Sequence, residues 1–233
     1  MEGRVIGGEY STIQNFPHAV FLLIQSQDAI FICGSSVLNQ MVLISAAHCF
    51  EILNKKSIVR AYGGHQDVEK VSLVRKAKRV YRHSKYSTRS IANDIALVKL
   101  KHELPLGGSI KRVIVRPTTP SQNGVLAGWG AVDPDMNEFT YKLKAVQQKI
   151  QTRDACSRIG MLHPGMICAG SFKRNDSRPA KGDSGSGLVT NDYQLVGLVS
   201  HVVNAYPALI VYTNVSYYYK WIQEKSEKIC CPS

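Results

Sequence analysis

Short apolar segments, each bounded by turn-forming residues, recur along most of this chain and constrain its fold more than any other feature. Clear examples lie at residues 19–24, 41–44, 95–98 and 195–199, and Gly, Asn, Asp, Ser or Pro residues flank them. Segments of this length and composition are typical of strands in β-sandwiches and β-barrels. Sustained helical periodicity occurs only near the C-terminus. The sequence therefore predicts an all-β protein closed by one C-terminal α-helix.

A stretch with two prolines and two threonines, residues 116–124, separates the β-rich segments near the middle of the chain and is interpreted as a linker. We therefore predict an N-terminal unit at residues 5–115 and a C-terminal unit at residues 116–233. With 44% hydrophobic residues, the 233-residue chain has enough apolar side chains to form cores in both units. Residues 1–4 are too short and polar for a signal peptide and are interpreted as a propeptide remnant or an artificial chain end.

The formal net charge of +12 favours anionic partners, and six lysines or arginines fall within residues 75–85. Two interpretations of this stretch stay open: a surface that binds acidic glycans, or a charged edge strand that resists aggregation. No motif supports a nucleic-acid partner. The longest unbroken apolar run, residues 19–24, is far shorter than the roughly 18 residues that a membrane span requires.

Six cysteines form neither a Cys-x-x-Cys pair nor a zinc-type ladder with histidines, so disulfides are the better interpretation. Disulfides indicate an oxidising, extracellular compartment, and we expect a secreted protein without a metal ion or cofactor. Cys230 and Cys231 leave three alternatives open: a bond to another chain, a bond to each other, or free thiols. Sequons at Asn175 and Asn214 are compatible with glycosylation of a secreted protein.

Three local patterns carry the chemistry. The segment SAAHC places His48 at the end of an apolar strand, NDIAL places Asp94 at the start of another, and GDSG encloses Ser184 between glycines. Each pattern alone is weak, because a single histidine beside a core strand is usually structural. Together, in the order His48, Asp94 and Ser184 and separated by 46 and 90 positions, they resemble the chymotrypsin/trypsin family of serine proteases.

The resemblance covers essentially the whole chain and implies two six-stranded antiparallel β-barrels with the catalytic residues between them. It implies that Ser184 is the nucleophile, that His48 accepts its proton, and that Asp94 holds the imidazole in the useful tautomer. The backbone N–H groups of Gly182 and Ser184 would form the oxyanion hole.

The same resemblance assigns an activation site and two disulfides. Cleavage after Arg4 would free Val5 as a new N-terminus, whose ammonium would pair with the buried carboxylate of Asp183. Cys33 and Cys49 match the disulfide that brackets the histidine loop. Cys156 and Cys168 match a second disulfide in the C-terminal half.

The residues that align with the family's primary specificity pocket depart from its pattern. Arg178 stands where members carry Asp or Ser, and Ala180 replaces a cysteine, so a disulfide between the pocket walls is missing. Val202 and Ile210 occupy positions where glycines keep the pocket open, and Tyr206 lies in the short loop between them. We expect these side chains to fill the space into which a substrate side chain would bind.

Two hypotheses follow. The first is a secreted protease homologue with an intact triad, an occluded pocket and weak or no activity, which acts by binding proteins or acidic glycans. Such divergence resembles that of the inactivated group 3 allergen-like protease paralogues of parasitic mites. The alternative is an active secreted endopeptidase of unusual primary specificity, activated by cleavage after Arg4, in which Arg178 attracts an acidic side chain.

Overall fold

The computed structural model describes residues 6–27, 29–120, 123–132 and 140–230. Residues 1–4, Val5 and Cys231 therefore lie outside the described residues. The predicted propeptide remnant, the activation site and the alternatives for Cys231 stay predictions. Within the described ranges the chain forms short strands throughout and a longer helix only near the C-terminus, and the all-β prediction is confirmed.

The N-terminal strands close into a barrel. Its members are β2 (Ala19–Gln25), β3 (Ile30–Asn39), β4 (Val42–Ser45), β5 (Ile58–Gly63), β6 (Leu73–Arg82) and β7 (Ala96–Leu100). Their order around the barrel is β2-β3-β4-β7-β6-β5, and each pair is antiparallel. The interior is filled by aliphatic side chains with no solvent exposure, among them Leu22, Ile24 and Val98. Every strand of the closed barrel contributes apolar side chains to this interior, and those of β6 are partly buried.

The C-terminal strands form a second sheet. They are β8 (Gly124–Gly128), β9 (Lys144–Gln148), β10 (Met166–Gly170), β11 (Gly187–Val189), β12 (Leu195–Val203) and β13 (Tyr206–Asn214). Their order is β9-β8-β11-β12-β13-β10. The two ends of this sheet meet, because the Gly170 N–H donates to the Lys149 carbonyl at 2.9 Å and the Gln151 N–H to the Cys168 carbonyl at 3.0 Å. The expected pair of six-stranded units is thus observed.

One strand crosses between the two halves of the chain. The short β1 (Glu9–Tyr10) pairs with β9 at the outside of the second sheet. The residues that precede the first barrel therefore pack on the second unit and bring the N-terminal segment close to residues 177–178. The predicted boundary between residues 115 and 116 stays a prediction.

The helices are α1 (Arg153–Ser157) and α2 (Tyr219–Cys230). The apolar face predicted for the C-terminal helix is confirmed, since Ile222 and Ile229 are buried against β4 and β7 side chains and the second sheet. The predicted disulfides Cys33–Cys49 and Cys156–Cys168 are both present. No helix within the described ranges combines the length and apolar character needed to cross a bilayer.

The basic stretch lies mostly on β6, which pairs with β5 on one side and β7 on the other. The interpretation of this stretch as an edge strand is therefore wrong. Its exposed basic side chains project from the outer wall of a closed barrel instead.

Candidate active site

His48 lies where β4 gives way to a short 3-10 turn, His48–Phe50, after the buried residues Ala46 and Ala47. Its ring Nδ1–H donates to Oδ2 of Asp94 at 2.8 Å, and its backbone N–H donates to the other carboxylate oxygen, Oδ1, at 2.9 Å. Asp94 is buried, and it therefore fixes both the backbone position and the ring orientation of His48.

Two opposing effects act on the pKa of His48. Burial alone lowers it, but the hydrogen bond and the negative charge of Asp94, with a contribution from Glu51, outweigh burial and raise the pKa above its ordinary value. The imidazole is thus a better proton acceptor than a free histidine, while its Nε2 is left available because Nδ1 is committed to Asp94.

Asp94 is held by two further hydroxyl groups. Ser200 Oγ donates to its Oδ2 at 2.6 Å, and Thr213 Oγ1 donates to its backbone carbonyl at 2.6 Å. Because the Ser200 proton is directed at Asp94, the Nδ1–H of His201 donates to Ser200 Oγ, at 3.2 Å. Burial lowers the pKa of His201, so this second imidazole is neutral beside His48.

Ser184 sits in a tight turn made possible by glycines on both sides. Gly182 and Gly185 have φ values of 97° and 78°, in the region that favours glycine, and a Cβ on Gly185 would lie 2.7 Å from the Gly34 carbonyl oxygen. Among the described residues, the backbone N–H groups of Gly182 and Ser184 donate to no protein acceptor. The turn therefore presents two free donors beside the Ser184 hydroxyl, the arrangement that binds an oxyanion. Among the residues that the structure describes, no hydrogen bond joins Ser184 Oγ to His48.

The carboxyl of Asp183 is completely buried directly behind this turn. It accepts 2.9 Å hydrogen bonds from the N–H groups of Gly130 and Ala180. Burial raises its pKa to about 6, although these two donors favour the charged form. No cation of the described residues pairs with it.

The N-terminal segment is hydrogen-bonded to residues 177–178. The carbonyl of Ile6 accepts from the backbone N–H of Arg178 at 2.9 Å, and the Gly7 carbonyl accepts from Ser177 Oγ at 2.8 Å. Arg4 and Val5, predicted to form the activation site, lie outside the described residues. Their described neighbours are thus docked against the loop that carries Arg178.

A cavity of about 960 Å³ opens in front of the serine. Its polar lining includes His48, Gly182, Ser184 and His201, and much of the rest is apolar, contributed by β3 and the turn after His48. Cys33 and Cys49 also approach His48, but their sulfurs are joined in a disulfide and offer no thiolate to a metal ion. The chemistry available here is proton transfer and oxyanion stabilisation.

The residues predicted to fill the specificity pocket are not among the described residues that line this cavity. Ile210 has no solvent exposure and packs with Val199 and Tyr212 in the core of the second unit. Val202 pairs with Ile210 across β12 and β13 and is 36% exposed. Ala180 is buried, and its N–H is used by Asp183.

Arg178 and Tyr206 make contacts of their own. The guanidinium of Arg178 is half-buried, and its Nη1 donates to the Arg174 carbonyl at 3.1 Å. Burial, with the neighbouring Arg174, lowers its pKa. The Tyr206 ring packs edge-on against Phe172, with ring centroids 5.4 Å apart. Tyr206 is thus engaged near the Cys156–Cys168 disulfide.

Sequence reasoning missed three contributors to this site. Ser200 and Thr213 were not predicted to hold Asp94, and the apolar wall of β3 was not predicted at all. A hydroxyl residue in each of two late strands gives no local signal, because its partner lies about a hundred positions earlier.

The Trypsin family model matches residues 5–222. Hypodermin-B from Hypoderma lineatum is 31% identical over 237 residues, covering 97% of this chain and 89% of that protein.

Two solved structures share the fold. HL collagenase superimposes with a TM-score of 0.81 and 24% identity, covering 94% of this chain and 97% of that one. The scabies mite inactivated protease paralogue S-D1 superimposes with a TM-score of 0.83 and 22% identity, covering 94% and 96%.

Proposed function

This chain belongs to the trypsin family, and on that premise we propose that it is a secreted serine protease homologue with a closed specificity slot. In this proposal His48, Asp94 and Ser184 form an intact triad, but the protein cleaves peptides weakly or not at all and acts by binding. Ile210 carries this proposal: a branched side chain with no solvent exposure occupies a position where a glycine would leave room.

Packing supports the closure. Ile210 belongs to a buried cluster that includes Val199 on β12 and Ala169 on β10, so moving its side chain out of that cluster would leave a void. The ring of Tyr212 is also fully buried, and its hydroxyl is directed at Gln148 Oε1, 3.5 Å away. Gln148 in turn donates to the Ser177 carbonyl at 3.3 Å, next to Arg178. These contacts support the proposal that protein side chains occupy the base of the slot.

Closure weakens catalysis through lost binding energy. Burying a substrate side chain is worth about 1.5–3 kcal/mol, part of which positions the reacting bond in the transition state. Without it we expect kcat/KM to fall by about one to two orders of magnitude. A substrate bound through its backbone alone also loses conformational entropy on binding. This entropic cost adds to the lost side-chain binding energy.

The remaining machinery is suited to acyl transfer. His48 would accept the Ser184 proton while Asp94 stabilises the resulting imidazolium, and the N–H groups of Gly182 and Ser184 would stabilise the oxyanion by about 3–4 kcal/mol each. Cleavage after Arg4 would supply the ammonium of Val5 to Asp183, whose raised pKa fits a carboxyl waiting for a cation. These contacts support a second candidate, an active endopeptidase of unusual primary specificity. In that candidate Arg178 would have to release the Arg174 carbonyl to meet an acidic side chain.

Acidic glycans are the second class of partner in this proposal. On the outside of the first barrel, Arg60 lies directly opposite Lys76, and Arg79 opposite Lys99. Like charges placed opposite each other destabilise a sheet, and none of the four has an acidic partner within 4 Å among the described residues. An anionic polymer bound across these strands would offset that repulsion.

Labelling and turnover separate the two candidates. The chain cleaved after Arg4 is treated with a small fluorophosphonate, which needs the triad and oxyanion hole but no side-chain slot, and is then assayed with a peptide library that varies the residue before the bond. Labelling of Ser184 without turnover supports the binding protein. Labelling with turnover of one side-chain class supports the endopeptidase, and absence of labelling contradicts an assembled triad.

A further inference from the structure

The two sequons of this chain lie in different surroundings, and the first is at the tip of a turn. The Asp176 N–H closes this turn by donating to the Lys173 carbonyl at 3.3 Å, so that Arg174 and Asn175 are its central residues. Asn175 is exposed, and its side-chain amide has no hydrogen-bond partner among the described residues. An oligosaccharide attached to that amide would extend into solvent.

The base of the same turn is anchored on both sides. Before it, the Phe172 ring packs edge-on against Tyr206, with ring centroids 5.4 Å apart. After it, Ser177 Oγ donates to the Gly7 carbonyl at 2.8 Å. The loop is thus fixed by its ends, and a glycan on Asn175 would disturb none of these contacts.

The second sequon is part of the packed structure instead. Oδ1 of Asn214 accepts from Thr119 Oγ1 at 3.1 Å and from Ser216 Oγ at 2.8 Å. Val215, between the two sequon residues, has no solvent exposure and packs in a core cluster. Asn214 itself is half-buried, and its N–H donates to the Gly165 carbonyl at 2.9 Å. A bulky oligosaccharide here would compete with these contacts.

We propose that Asn175 carries an N-linked oligosaccharide in the secreted protein and that Asn214 carries none. The inference rests on the proposed secretion, because the donor, an oligosaccharide on a polyprenyl pyrophosphate, is met by chains that are being exported. In the transfer, the amide nitrogen of Asn175 forms a bond to the anomeric carbon of the first sugar. The bond from that carbon to the pyrophosphate oxygen breaks, and the amide proton leaves with the lipid pyrophosphate.

Ser177 determines when this transfer takes place. Its hydroxyl completes the sequon of Asn175, and in the folded chain the same hydroxyl is engaged by the Gly7 carbonyl. The oligosaccharide is therefore added before the N-terminal segment docks on this loop.

The glycan would also shield the turn from proteases. Lys173 and Arg174 are exposed beside Asn175, and exposed loop tips are preferred sites of proteolytic nicking. Both are suitable for proteases that cut after basic residues. An oligosaccharide on the residue that follows Arg174 would block access to that bond.

Mass spectrometry of the exported protein tests the proposal. The full chain, exported from insect cells behind a cleavable secretion signal, is compared with Asn175→Gln and with the matched control Asn214→Gln. Peptide-N-glycosidase removes a glycan and leaves an aspartate, so peptide masses report occupancy at each asparagine. We expect loss of the glycan in Asn175→Gln and an unchanged glycan in Asn214→Gln.

Limited trypsin digestion tests the shielding. We expect cleavage after Lys173 or Arg174 in the enzymatically deglycosylated chain and in Asn175→Gln, and no cleavage there in the glycosylated chain. Equal cleavage at this turn with and without the glycan would overturn the shielding.

The outcomes separate this inference from the proposed function. Export of the unaltered chain without a glycan at Asn175, or with one at Asn214, would overturn the inference and leave the closed slot standing. Retention of the chain inside the cell would overturn the proposed secretion and this inference with it. Because the unaltered chain decides occupancy, the test stands even where a variant fails to fold.

Discussion

The hydroxyl of Ser200 donates to the same carboxylate oxygen of Asp94 that accepts the ring N–H of His48, at 2.6 Å and 2.8 Å respectively. The two bonds fix that carboxylate from opposite units of the fold, since His48 follows β4 and Ser200 lies on β12. We therefore infer that Ser200 is a positioning residue, which holds Asp94 and through it the ring of His48.

Replacing Ser200 by alanine tests this role. We expect Ser200→Ala to slow fluorophosphonate labelling of Ser184 about tenfold and to lower the free energy of unfolding by about 1.5–3 kcal/mol, because the bond removed is to a charged acceptor. The control is Ser35→Ala, which removes a buried serine bound to the neutral Val20 carbonyl. Loss of labelling in both variants, or in neither, would contradict a role specific to Ser200.

The buried carboxyl of Asp183 predicts how pH acts on the uncleaved chain. Its pKa of about 6, against 3.8 ordinarily, means that the folded state binds the proton more tightly than the unfolded state. The stability it contributes is present below about pH 4 and is lost as the pH rises through about 6, a change of about 3 kcal/mol. Asp183→Asn should remove this decrease of the free energy of unfolding with rising pH, measured by urea unfolding between pH 4 and 7.

Cleavage after Arg4 should also remove this pH dependence of the free energy of unfolding, by a different mechanism. The new ammonium of Val5 would favour the charged carboxylate and lower the pKa of Asp183. If the free energy of unfolding depends on pH in the same way after complete cleavage, verified by mass spectrometry, the proposed pair of Val5 and Asp183 is contradicted.

His18 predicts the opposite pH dependence from Asp183: its contribution to the free energy of unfolding rises with pH. It is buried between the rings of Phe16 and Tyr193, and burial lowers its pKa to about 4. Its contribution to stability is present above about pH 6.5 and is lost as the pH falls toward 4, by about 3 kcal/mol at most. His18→Phe should unfold less readily than the unaltered chain at pH 5. Exposed His102→Gln should not, and an equal response of both variants would contradict the assignment.

The basic pairs on the first barrel predict glycan binding that depends on position and not on net charge alone. The double variant Lys76→Ser/Arg79→Ser should elute from a heparin column at clearly lower salt. Because repulsion between like charges is removed, its free energy of unfolding should rise by a few tenths of a kcal/mol. Lys173→Ser with Arg174→Ser makes the same charge change on an exposed loop of the second unit. Equal elution shifts for the two double variants would argue against a specific glycan surface.

Local patterns predicted those parts of the molecule that depend on neighbouring residues. Glycines flanking Ser184 and short apolar segments bounded by turn-forming residues are readable because a tight turn and a buried strand each favour particular residue types locally. The family resemblance supplied the Cys33–Cys49 and Cys156–Cys168 pairs, which the structure confirms.

Features that depend on distant pairing could not be predicted. β1 joins the second sheet and β6 lies inside a barrel wall because of partners far away in the sequence. The exposed wall at Ile30 and Phe31 exists because β4 covers only the second half of β3, and an apolar strand that is half uncovered resembles an ordinary core strand when read from its sequence.

The most direct test of the closed slot is kcat/KM for the cleaved chain, measured against a library that varies the residue before the bond, compared with the variant Val202→Gly/Ile210→Gly. We predict low, nearly uniform values for the unaltered chain and a gain of at least about tenfold in the variant for peptides with a large side chain at that position. Thermal unfolding and fluorophosphonate labelling confirm that the variant is folded, and Val202→Gly alone serves if it is not. Efficient turnover of one side-chain class by the unaltered chain, lost in the glycine variant, would contradict the account.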